Sequence, residues 1–335
     1  GVMLSSAAKE YMKVYGVLVG KKPLIFTNND SGYETAIEFK KNGVNPLILD
    51  TRKEPSSDII SEAKNLGIEI KFSHVVVAAK GYKKVKSADI AKISDNKKDL
   101  SNIENIECDC ICVSGFWTPS IHLASQSGNK SEFNEKIDAF IPKKSKQNEN
   151  TIGSANGKFT LEETINEAFD KGYEVSNKIT ENNNKVSMPT VVEKKSTEHD
   201  KFWCVPLPKG KSYKRFLDFQ NDVAVTDIEL ALREGFRSIE HVKRYTTLGM
   251  ATDQGKTSNL NGLQLVSDIE NKVVPQVGHT TFRPPYTPVS IGAIVGREVG
   301  KHSKPTRKSP MHDWHEKNNA GSVDAGVWLR RRYDK

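Results

Sequence analysis

Strand-like and helix-like segments alternate through the first half of the sequence, from residue 1 to about residue 172. Residues 23–27 and 45–50 are short apolar runs of the kind found in buried strands, and a helical segment at 31–42 separates them. Gly43 ends that helix, because glycine readily adopts the left-handed conformation that closes a helix. The alternation predicts a parallel sheet in a doubly wound α/β fold. The other predicted elements are a helix at 58–66 and strands at 68–72, 74–79 and 107–114.

The turn after the first strand is a candidate dinucleotide site. Such a turn uses three glycines, for the tight bend, for the approach of the pyrophosphate and for helix packing. The sequence has Thr27, Asn29 and Gly32 at those places, so the first two glycines are absent. Asp50 ends the second strand, where a carboxylate accepts from a ribose hydroxyl. The missing glycines favour the alternative, a vacant or structural unit whose turn is filled by the polar side chains of residues 28–30.

A second candidate site is the loop of small residues at 151–157, which contains Gly153 and Gly157. Thr160 and Glu163 follow with the spacing of a capping box, and they predict the start of a helix. A glycine loop that leads into a helix offers free N–H groups and the positive end of the dipole to a pyrophosphate. The alternative is an ordinary loop capped by Thr160.

Two short helices are predicted in the second half of the sequence. Thr226 and Glu229 have the spacing of a second capping box. Ser238 can cap the next helix, which is predicted to end near Gly249.

A polar loop follows these helices and contains Lys256, Thr257 and Ser258. Cations beside hydroxyls and glycines suit an anion such as a cofactor phosphate. The alternative from composition alone is a solvated basic end of a helix.

Composition indicates a protein that does not bind nucleic acid and has no membrane span. The 50 Lys and Arg residues outnumber the 42 Asp and Glu residues, but the excess is dispersed along the sequence. A nucleic-acid protein more often has a basic stripe with interleaved aromatic residues. No apolar run reaches the roughly 18 residues that a membrane helix needs. The charge therefore favours solubility or a docking face for an acidic partner.

Three of the four cysteines, Cys108, Cys110 and Cys112, alternate along one predicted strand. Alternate residues of a strand point to one face, so these thiols are expected to line a buried side as small apolar groups. Four cysteines in this arrangement do not make a disulfide framework, and no second group of metal ligands follows them. A reducing cytoplasm fits this usage.

Two long sequence blocks resemble the alpha subunits of heterotetrameric sarcosine oxidases. One contains DFQND at 218–222 and EGFRSIEHVKRYTTLGMATDQGKTSN at 234–259, and the other is TTFRPPYTPV at 280–289. The resemblance extends in family order along nearly the whole chain. Because residue 1 is not Met and the sequence begins as if within a domain, the chain is expected to be a fragment that lacks both ends.

The resemblance also argues against an iron–sulfur cluster. The wider relatives, amino-acid dehydrogenase complexes, place cysteines for a cluster in the same frame. This sequence has Asp218, Gln220, Asp253 and Ser258 at those positions. Clusters are held by cysteine thiolates, so the module is expected to keep its helices without a metal.

The family implies which residues contact cofactors and partners. NAD would be held, without a catalytic role, by residues Gly153, Ser154, Gly157, Phe159 and Leu161. FMN lies at the interface with the beta subunit in the family, and the candidates for the flavin or for that interface are Lys256, Thr257, Ser258 and Arg283. No catalytic residue is assigned, because amine oxidation takes place on the flavins of the beta subunit.

The last thirty residues resemble the opening of the aminomethyltransferase fold of glycine-cleavage T-proteins. That domain binds tetrahydrofolate in the family, through a carboxylate that lies beyond this chain. His312 and His315 have an i, i+3 spacing that could suit a metal on a helix. No third ligand is evident, so two histidines at a surface or an interface are favoured and no metal is assigned.

The fold class expected from these patterns is α/β. It consists of the Rossmann-like dinucleotide-binding portion of a flavin-disulfide-reductase-like fold, a small helical module and the start of an aminomethyltransferase (T-protein-like) domain. The expected domains are an incomplete Rossmann-like domain at 1–172, a polar linker at 173–202, a two-helix module at 203–265, a proline-rich connector at 266–305 and the start of the aminomethyltransferase domain at 306–335.

The function that the resemblance implies is oxidative demethylation of sarcosine to glycine, with formation of hydrogen peroxide and methylene-tetrahydrofolate. The implied partners are the flavin-bearing beta subunit and the smaller gamma and delta subunits, in the cytoplasm. The alternatives are a non-catalytic nucleotide-binding or assembly module and a subunit of an amino-acid dehydrogenase complex.

Overall fold

The computed structural model describes residues 1–143, 145–180, 187–191, 199–250, 252–297, 300 and 305–333. Parts of the predicted linker, of the proline-rich connector and of the last predicted domain lie outside these ranges. The chain divides into two compact units, Gly1–Tyr286 and Thr287–Lys335. The boundary between the units falls within the predicted connector. In the described ranges, no helix is long and apolar enough to cross a membrane.

Among the described residues, the first 180 contain ten strands, five α-helices and one 3-10 helix, Gly153–Asn156. The strands are β1 (Val2–Leu4), β2 (Pro23–Thr27), β3 (Leu47–Asp50), β4 (Glu69–Phe72), β5 (His74–Gly81), β6 (Val85–Ile93), β7 (Leu100–Glu107), β8 (Cys110–Ser114), β9 (Ser131–Asn134) and β10 (Ala139–Pro142). The helices are α1 (Ser5–Tyr15), α2 (Ser31–Lys41), α3 (Asp58–Asn65), α4 (His122–Gln126) and α5 (Leu161–Thr180).

A parallel sheet of five strands, in the order β1-β8-β2-β3-β4, forms the centre of the first unit. Its central strands are apolar on both faces. Ile25 and Ile48 pack on one side with α1, α2 and α3, and Leu24 and Leu49 pack on the other side. A strand buried on both faces needs a nearly continuous apolar run. The predicted parallel α/β sheet is therefore present, and β2, α2 and β3 lie close to their predicted bounds.

The predicted strand at 74–79 does not join the parallel sheet. It forms β5, which pairs with β6 in an antiparallel sheet of three strands together with β7. The connection from β5 to β6 is a short hairpin, whereas a parallel crossover needs about a dozen residues or more. Gly81 has φ 148° there, and a Cβ atom on it would lie 1.9 Å from the carbonyl oxygen of Lys84.

The antiparallel sheet packs against the second face of the parallel sheet. Ala88 and Ile90 of β6 belong to the same buried cluster as Leu24 and Leu49. A sheet thus occupies a face on which a doubly wound fold would place helices. The sequence interpretation missed β6 and β7, and it extended the strand at 107–114 across the end of β7.

The three alternating cysteines are buried, as the sequence predicts, but they do not share one face. Cys110 and Cys112 lie in β8 with their sulfur atoms 3.6 Å apart, on the side of α1 and α2. Cys108 precedes the strand and packs in the opposite cluster. Burial raises the pKa of the Cys108 thiol to about 11, so it stays protonated and unreactive at neutral pH.

Helix α5 begins at the predicted capping box. The N–H of Glu163 donates to the Thr160 hydroxyl at 3.2 Å, and the N–H of Thr160 donates to the Glu163 carboxylate at 3.3 Å. The helix continues to Thr180, so it crosses the expected domain boundary between residues 172 and 173.

The rest of the first unit is mainly helical. Its elements are β11 (Phe216–Asp218), β12 (Val223–Ala224), α6 (Val225–Arg233), α7 (Ile239–Thr246), α8 (Asn259–Glu270) and α9 (Val274–Val277). Ile228, Val242, Leu263 and Val266 come from three of these helices and share one buried cluster. The predicted two-helix module therefore contains a further long helix, α8, which extends past the expected boundary at 265.

The caps of α6 and α7 differ in how well they were predicted. The capping box assigned to Thr226 and Glu229 is wrong, because α6 begins at Val225 and the Asp227 carboxylate accepts from the N–H of Ala224 at 2.7 Å. Ser238 does occupy the N-cap position of α7 in extended conformation, but its side chain makes no capping hydrogen bond. Its carbonyl accepts from the N–H of His241 at 2.9 Å.

The second unit consists of short elements. They are α10 (Ile291–Val295), β13 (Arg307–Lys308), α11 (His312–Lys317), β14 (Gly321–Ala325) and β15 (Trp328–Tyr333). Strand β15 is central in a sheet of three strands, parallel to β13 and antiparallel to β14. The start of an aminomethyltransferase domain stays a prediction for this unit.

A polar cluster at the carboxyl end of the parallel sheet should contribute measurably to stability. The Tyr33 hydroxyl donates to the fully buried Asp50 carboxylate at 2.7 Å. Tyr33→Phe removes one hydrogen bond to a charged group, so we expect the free energy of unfolding in urea to fall by about 1–3 kcal/mol. Tyr82→Phe is the matched control, because Tyr82 is 95% exposed, and its effect should stay within about 0.5 kcal/mol. Equal effects of the two changes would contradict this assignment.

Candidate functional site

The first candidate dinucleotide turn is filled by its own side chains. The Asn29 side-chain oxygen accepts from the N–H of Ser31 at 2.8 Å, and the Thr27 hydroxyl donates to the carbonyl of Asn29 at 2.8 Å. The guanidinium of Arg52 lies 2.8 Å from both the Asp30 and the Asp50 carboxylates. The carboxylate expected for a ribose hydroxyl is therefore held by Arg52. This geometry agrees with the alternative of a structural unit.

A segment at 199–202 lies across the same end of the sheet. The N–H of Asp200 donates to the carbonyl of Asn28 at 2.9 Å, and the Asn28 amide donates back to the carbonyl of Asp200 at 2.9 Å. The Thr51 hydroxyl donates to the Asp200 carboxylate at 3.0 Å. Ligands of open α/β sheets bind outside the carboxyl ends of the strands, and here the chain itself occupies that crevice.

The second candidate loop, 151–157, is held by a carboxylate that the sequence interpretation did not single out. The N–H of Gly153 and the side-chain amide of Asn156 each donate to the Glu167 carboxylate at 2.7 Å. Gly153 and Gly157 both have positive φ, of 65° and 77°. The Gly153 N–H, which was expected to be free for a pyrophosphate, therefore donates to a carboxylate of the chain itself. Glu167 lies one helical turn beyond the capping box. Its role becomes visible only through its contact with Gly153, which lies 14 positions earlier in the sequence.

The other residues predicted for NAD lie around this loop with different exposure. Ser154 is exposed, Phe159 is half-buried and Leu161 is 54% exposed at the start of α5. A Cβ atom on Gly157 would lie 2.6 Å from the Cδ1 atom of Ile137, so only glycine fits there. The exposed side chains leave one face of the loop accessible.

The polar loop at 252–259 is closed by residues at the positions where the wider relatives would carry cluster cysteines. The Asp218 carboxylate accepts from the N–H of Gly249 at 2.8 Å, and the Gln220 side chain accepts from the Thr252 hydroxyl at 2.8 Å. Asp253 accepts from the N–H of Gly255 at 2.9 Å. Hydrogen bonds thus join the hairpin of β11 and β12 to the loop.

The loop places its three predicted site residues in different surroundings. The Lys256 ammonium donates to the carbonyl of Tyr286 and lies 4.3 Å from the centroid of the Tyr286 ring. Thr257 is exposed, and its hydroxyl donates to the Asp253 carboxylate at 3.1 Å. Ser258 is 1% exposed, and its hydroxyl has no partner among the described residues. The three side chains therefore do not converge on one external ligand.

A small cavity of about 40 Å³ lies beside Lys256. It is large enough for one or more water molecules. His122, Thr280 and Phe282 contribute to its wall, and the rings of His122 and Phe282 are 3.8 Å apart. His122 lies 132 positions before its partner Gln254, so sequence spacing gave no signal for it.

His122 is a neutral group in this cavity. Its Nε2 atom donates to the carbonyl of Gln254 at 3.2 Å, which leaves Nδ1 as an acceptor. That Nδ1 atom has no partner among the described residues. Burial lowers the pKa of His122 from the ordinary value, and the nearby Lys256 and Lys243 charges lower it further.

Arg283 belongs to a group of cations at one side of this module. Lys243 is 8% exposed, and its ammonium donates to the carbonyl of Thr281 at 3.3 Å. Burial lowers the pKa of Lys243, and the charges of Arg283 and Arg244 act in the same direction while Glu240 opposes them. Arg283 itself is exposed, and within the described ranges it forms no ion pair. Arg244 lies 3.4 Å from the Glu240 carboxylate, so Arg283 differs from both neighbouring cations in having no such partner among the described residues.

Known proteins resemble the chain along nearly its whole length. Residues 212–297 match the family described as the sarcosine oxidase A3 domain. The sequence is 36% identical to the sarcosine oxidase subunit alpha of Rhizobium meliloti (strain 1021), over 98% of this chain and 32% of that protein. It is 30% identical to the sarcosine oxidase subunit alpha of Corynebacterium sp. (strain P-1), over 99% of this chain and 35% of that protein. The chain thus spans about one third of the length of these relatives, and they confirm the resemblance recognised in its sequence.

The fold also resembles that of a solved structure. L-proline dehydrogenase from P. horikoshii superposes with a TM-score of 0.50 at 20% identity, over 88% of this chain and 54% of that chain. This similarity supports the mixed α/β fold.

The buried position of His122 predicts how it titrates. The folded-state pKa lies below the ordinary value of 6.5, so the unfolded chain binds the proton more readily. The contribution of His122 to stability is therefore complete above about pH 6.5 and is lost as the pH falls below that value. We expect an NMR titration to give a midpoint below 6.5 for this imidazole, with its signals assigned by their loss in His122→Asn. A midpoint at or above 6.5 would show that the ring is not desolvated.

Proposed function

We propose that this chain is a segment of the alpha subunit of a sarcosine oxidase complex. The proposal rests on two alignments with subunits of that name. One covers 98% of this chain at 36% identity, and the other covers 99% at 30% identity. The A3 domain match covers the helical module and the cation group around Arg283. In this proposal the segment supplies a scaffold, part of an NAD site and a face for the flavin-bearing beta subunit.

The proposed activity of the whole complex is oxidative demethylation of sarcosine to glycine, with hydrogen peroxide and methylene-tetrahydrofolate as the other products. Two electrons and a proton leave the N-methyl carbon, and a second proton leaves the nitrogen as the imine forms. Molecular oxygen takes up the two electrons and two protons and becomes hydrogen peroxide. Tetrahydrofolate takes up the one-carbon unit. The role of the present residues is to bind and position, and tetrahydrofolate would be held by a domain beyond this segment.

The fit to NAD rests on the loop at 151–157 and the start of α5. The two glycines with positive φ shape this loop, and the first turn of α5 follows it. The Glu167 carboxylate already accepts from the Gly153 N–H, so it fixes the loop instead of leaving that donor for a phosphate. Ser154 and Leu161 are exposed and are the positions that NAD would touch.

The fit to FMN or to the beta subunit rests on the cation group. Arg283 and Thr257 are exposed and can reach an external phosphate or carboxylate. Lys256 acts locally, because its ammonium is held by Tyr286. Ser258 is buried and supports the loop from within. Of the four candidates, Arg283 and Thr257 are thus the ones that we assign to direct contact.

Two other functions are less well supported. A cluster-bearing subunit of an amino-acid dehydrogenase complex would need several thiolates in the module, and of the four cysteines only Cys204 falls in its predicted range of 203–265. A non-catalytic assembly module would bind no nucleotide in any form of the protein.

We propose a cytoplasmic complex with beta, gamma and delta subunits.

The interface assignment is tested by expressing the full reading frame that contains this sequence together with a flavin-bearing beta subunit. Arg283→Ala should lower the FMN content or the affinity for the beta subunit about tenfold, because a charge-assisted hydrogen bond contributes about 1.5–3 kcal/mol. Arg233→Ala, on the exposed side of α6, is the matched control and should change neither. If no flavin subunit copurifies and no sarcosine-dependent peroxide forms, the proposed function is wrong.

The NAD assignment is tested with a charge placed at the loop. Ser154→Glu should weaken NAD binding at least tenfold, because its carboxylate would repel the pyrophosphate at close range. Ser176→Glu puts the same charge on an exposed position of α5, farther along the helix, and should leave the affinity within twofold. Equilibrium dialysis of the full alpha subunit measures both. If the two variants bind NAD with equal affinity, NAD does not bind at this loop.

A further inference from the structure

Helix α11 in the second unit carries three potential metal ligands on adjoining positions. His312, Asp313 and Glu316 each offer one ligand atom, and these atoms all lie within 4.8 Å of one another. The spacings i, i+1 and i+4 bring the three side chains toward one side of a helical turn. The sequence interpretation had paired His312 with His315 and found no third ligand.

His315 is engaged elsewhere. Its Nδ1 atom lies 2.8 Å from the guanidinium of Arg331. The neighbouring groups that could share a metal ion with His312 are therefore the two carboxylates and not the second histidine. Asp313 and Glu316 are both exposed, so their side chains can rearrange around an ion.

The buried imidazole of His312 is the second observation that points to a ligand. His312 is 8% exposed, and its Nε2 atom has no hydrogen-bond partner among the described residues. A buried polar atom without a partner is costly, and water, a proton donor or a metal ion usually satisfies it. Here two carboxylates stand beside that imidazole, and carboxylates cannot donate when ionised. A cation would satisfy all three groups together.

We propose that His312, Asp313 and Glu316 bind a divalent transition-metal ion, with Zn²⁺ as the best match to one imidazole and two carboxylates. Ligand atoms at about 2.0–2.2 Å from one tetrahedral ion are about 3.3–3.6 Å apart, so the observed spread of up to 4.8 Å needs the exposed carboxylates to close by about 1 Å. Water completes the coordination. The net charge of two carboxylates and one neutral imidazole balances the charge of the ion.

The surroundings leave room for those waters. His312 and Glu316 line a cleft of about 630 Å³, together with Lys308, Asn319 and Ser322. Lys308 is the one cation among the lining residues, and it is exposed. Its ammonium can turn toward solvent, or it can accompany an anion bound at an open position of the ion.

Metal binding to the full chain, prepared without an affinity tag, tests the proposal. Zn²⁺ should bind with one more equivalent in the unaltered protein than in His312→Gln or Glu316→Gln, as measured by equilibrium dialysis. Co²⁺ should give visible d–d absorption that the same two variants lose. The matched controls are His315→Gln on the same helix and Asp324→Asn on β14, and both should retain the ion.

The outcomes separate a site from background binding by the other histidines and cysteines. Equal Zn²⁺ and Co²⁺ binding by the unaltered protein and by Glu316→Gln, with circular dichroism unchanged, would overturn the proposal. Loss of the ion from Glu316→Gln but not from Asp324→Asn supports it. The result does not depend on sarcosine oxidation, so it stands apart from the test of the proposed function.

Discussion

The buried carboxylate of Asp50 is the group on which the first unit depends. It is fully buried at the carboxyl end of β3, where an uncompensated charge would be strongly destabilising. The Arg52 guanidinium neutralises it and also reaches Asp30 at the start of α2, while the Tyr33 hydroxyl supplies a further hydrogen bond. Burial and the neighbouring Asp50 charge raise the pKa of Tyr33, so this hydroxyl remains a donor. One buried charge therefore fixes the ends of two strands and the first turn of a helix.

The ion pairs and the hydrogen bond around Asp50 occupy the carboxyl end of the parallel sheet, where a dinucleotide would bind. The residues that would contact a dinucleotide at this end hold one another, and the segment at 199–202 adds its own hydrogen bonds to Asn28 and Thr51. The carboxyl end of the parallel sheet is thus filled by groups of the chain itself. Accessible polar groups lie instead on the loop before α5 and on the module that carries Arg283.

The sequence predicted best the features that depend on neighbouring residues. Helix α2 between two apolar strands follows from local periodicity and from Gly43, and the box of Thr160 and Glu163 needs only a spacing of three. The antiparallel sheet of β5, β6 and β7 was missed because an apolar run in the sequence does not indicate which strand it pairs with. Glu167 and His122 were missed for a related reason. Their roles depend on Gly153 and Gln254, which are separated from them by 14 and 132 positions.

The hydrogen bonds of Asp218, Gln220 and Asp253 determine how the loop at 252–259 is closed. A loop that is closed by a metal cluster forms only after iron and sulfide have been delivered, and it opens again when oxidants destroy the cluster. Here carboxylates and a carboxamide tie the same loop to the hairpin of β11 and β12. The contacts that close the loop are therefore made by side chains and backbone groups of the chain itself, so they assemble as the two segments pack together.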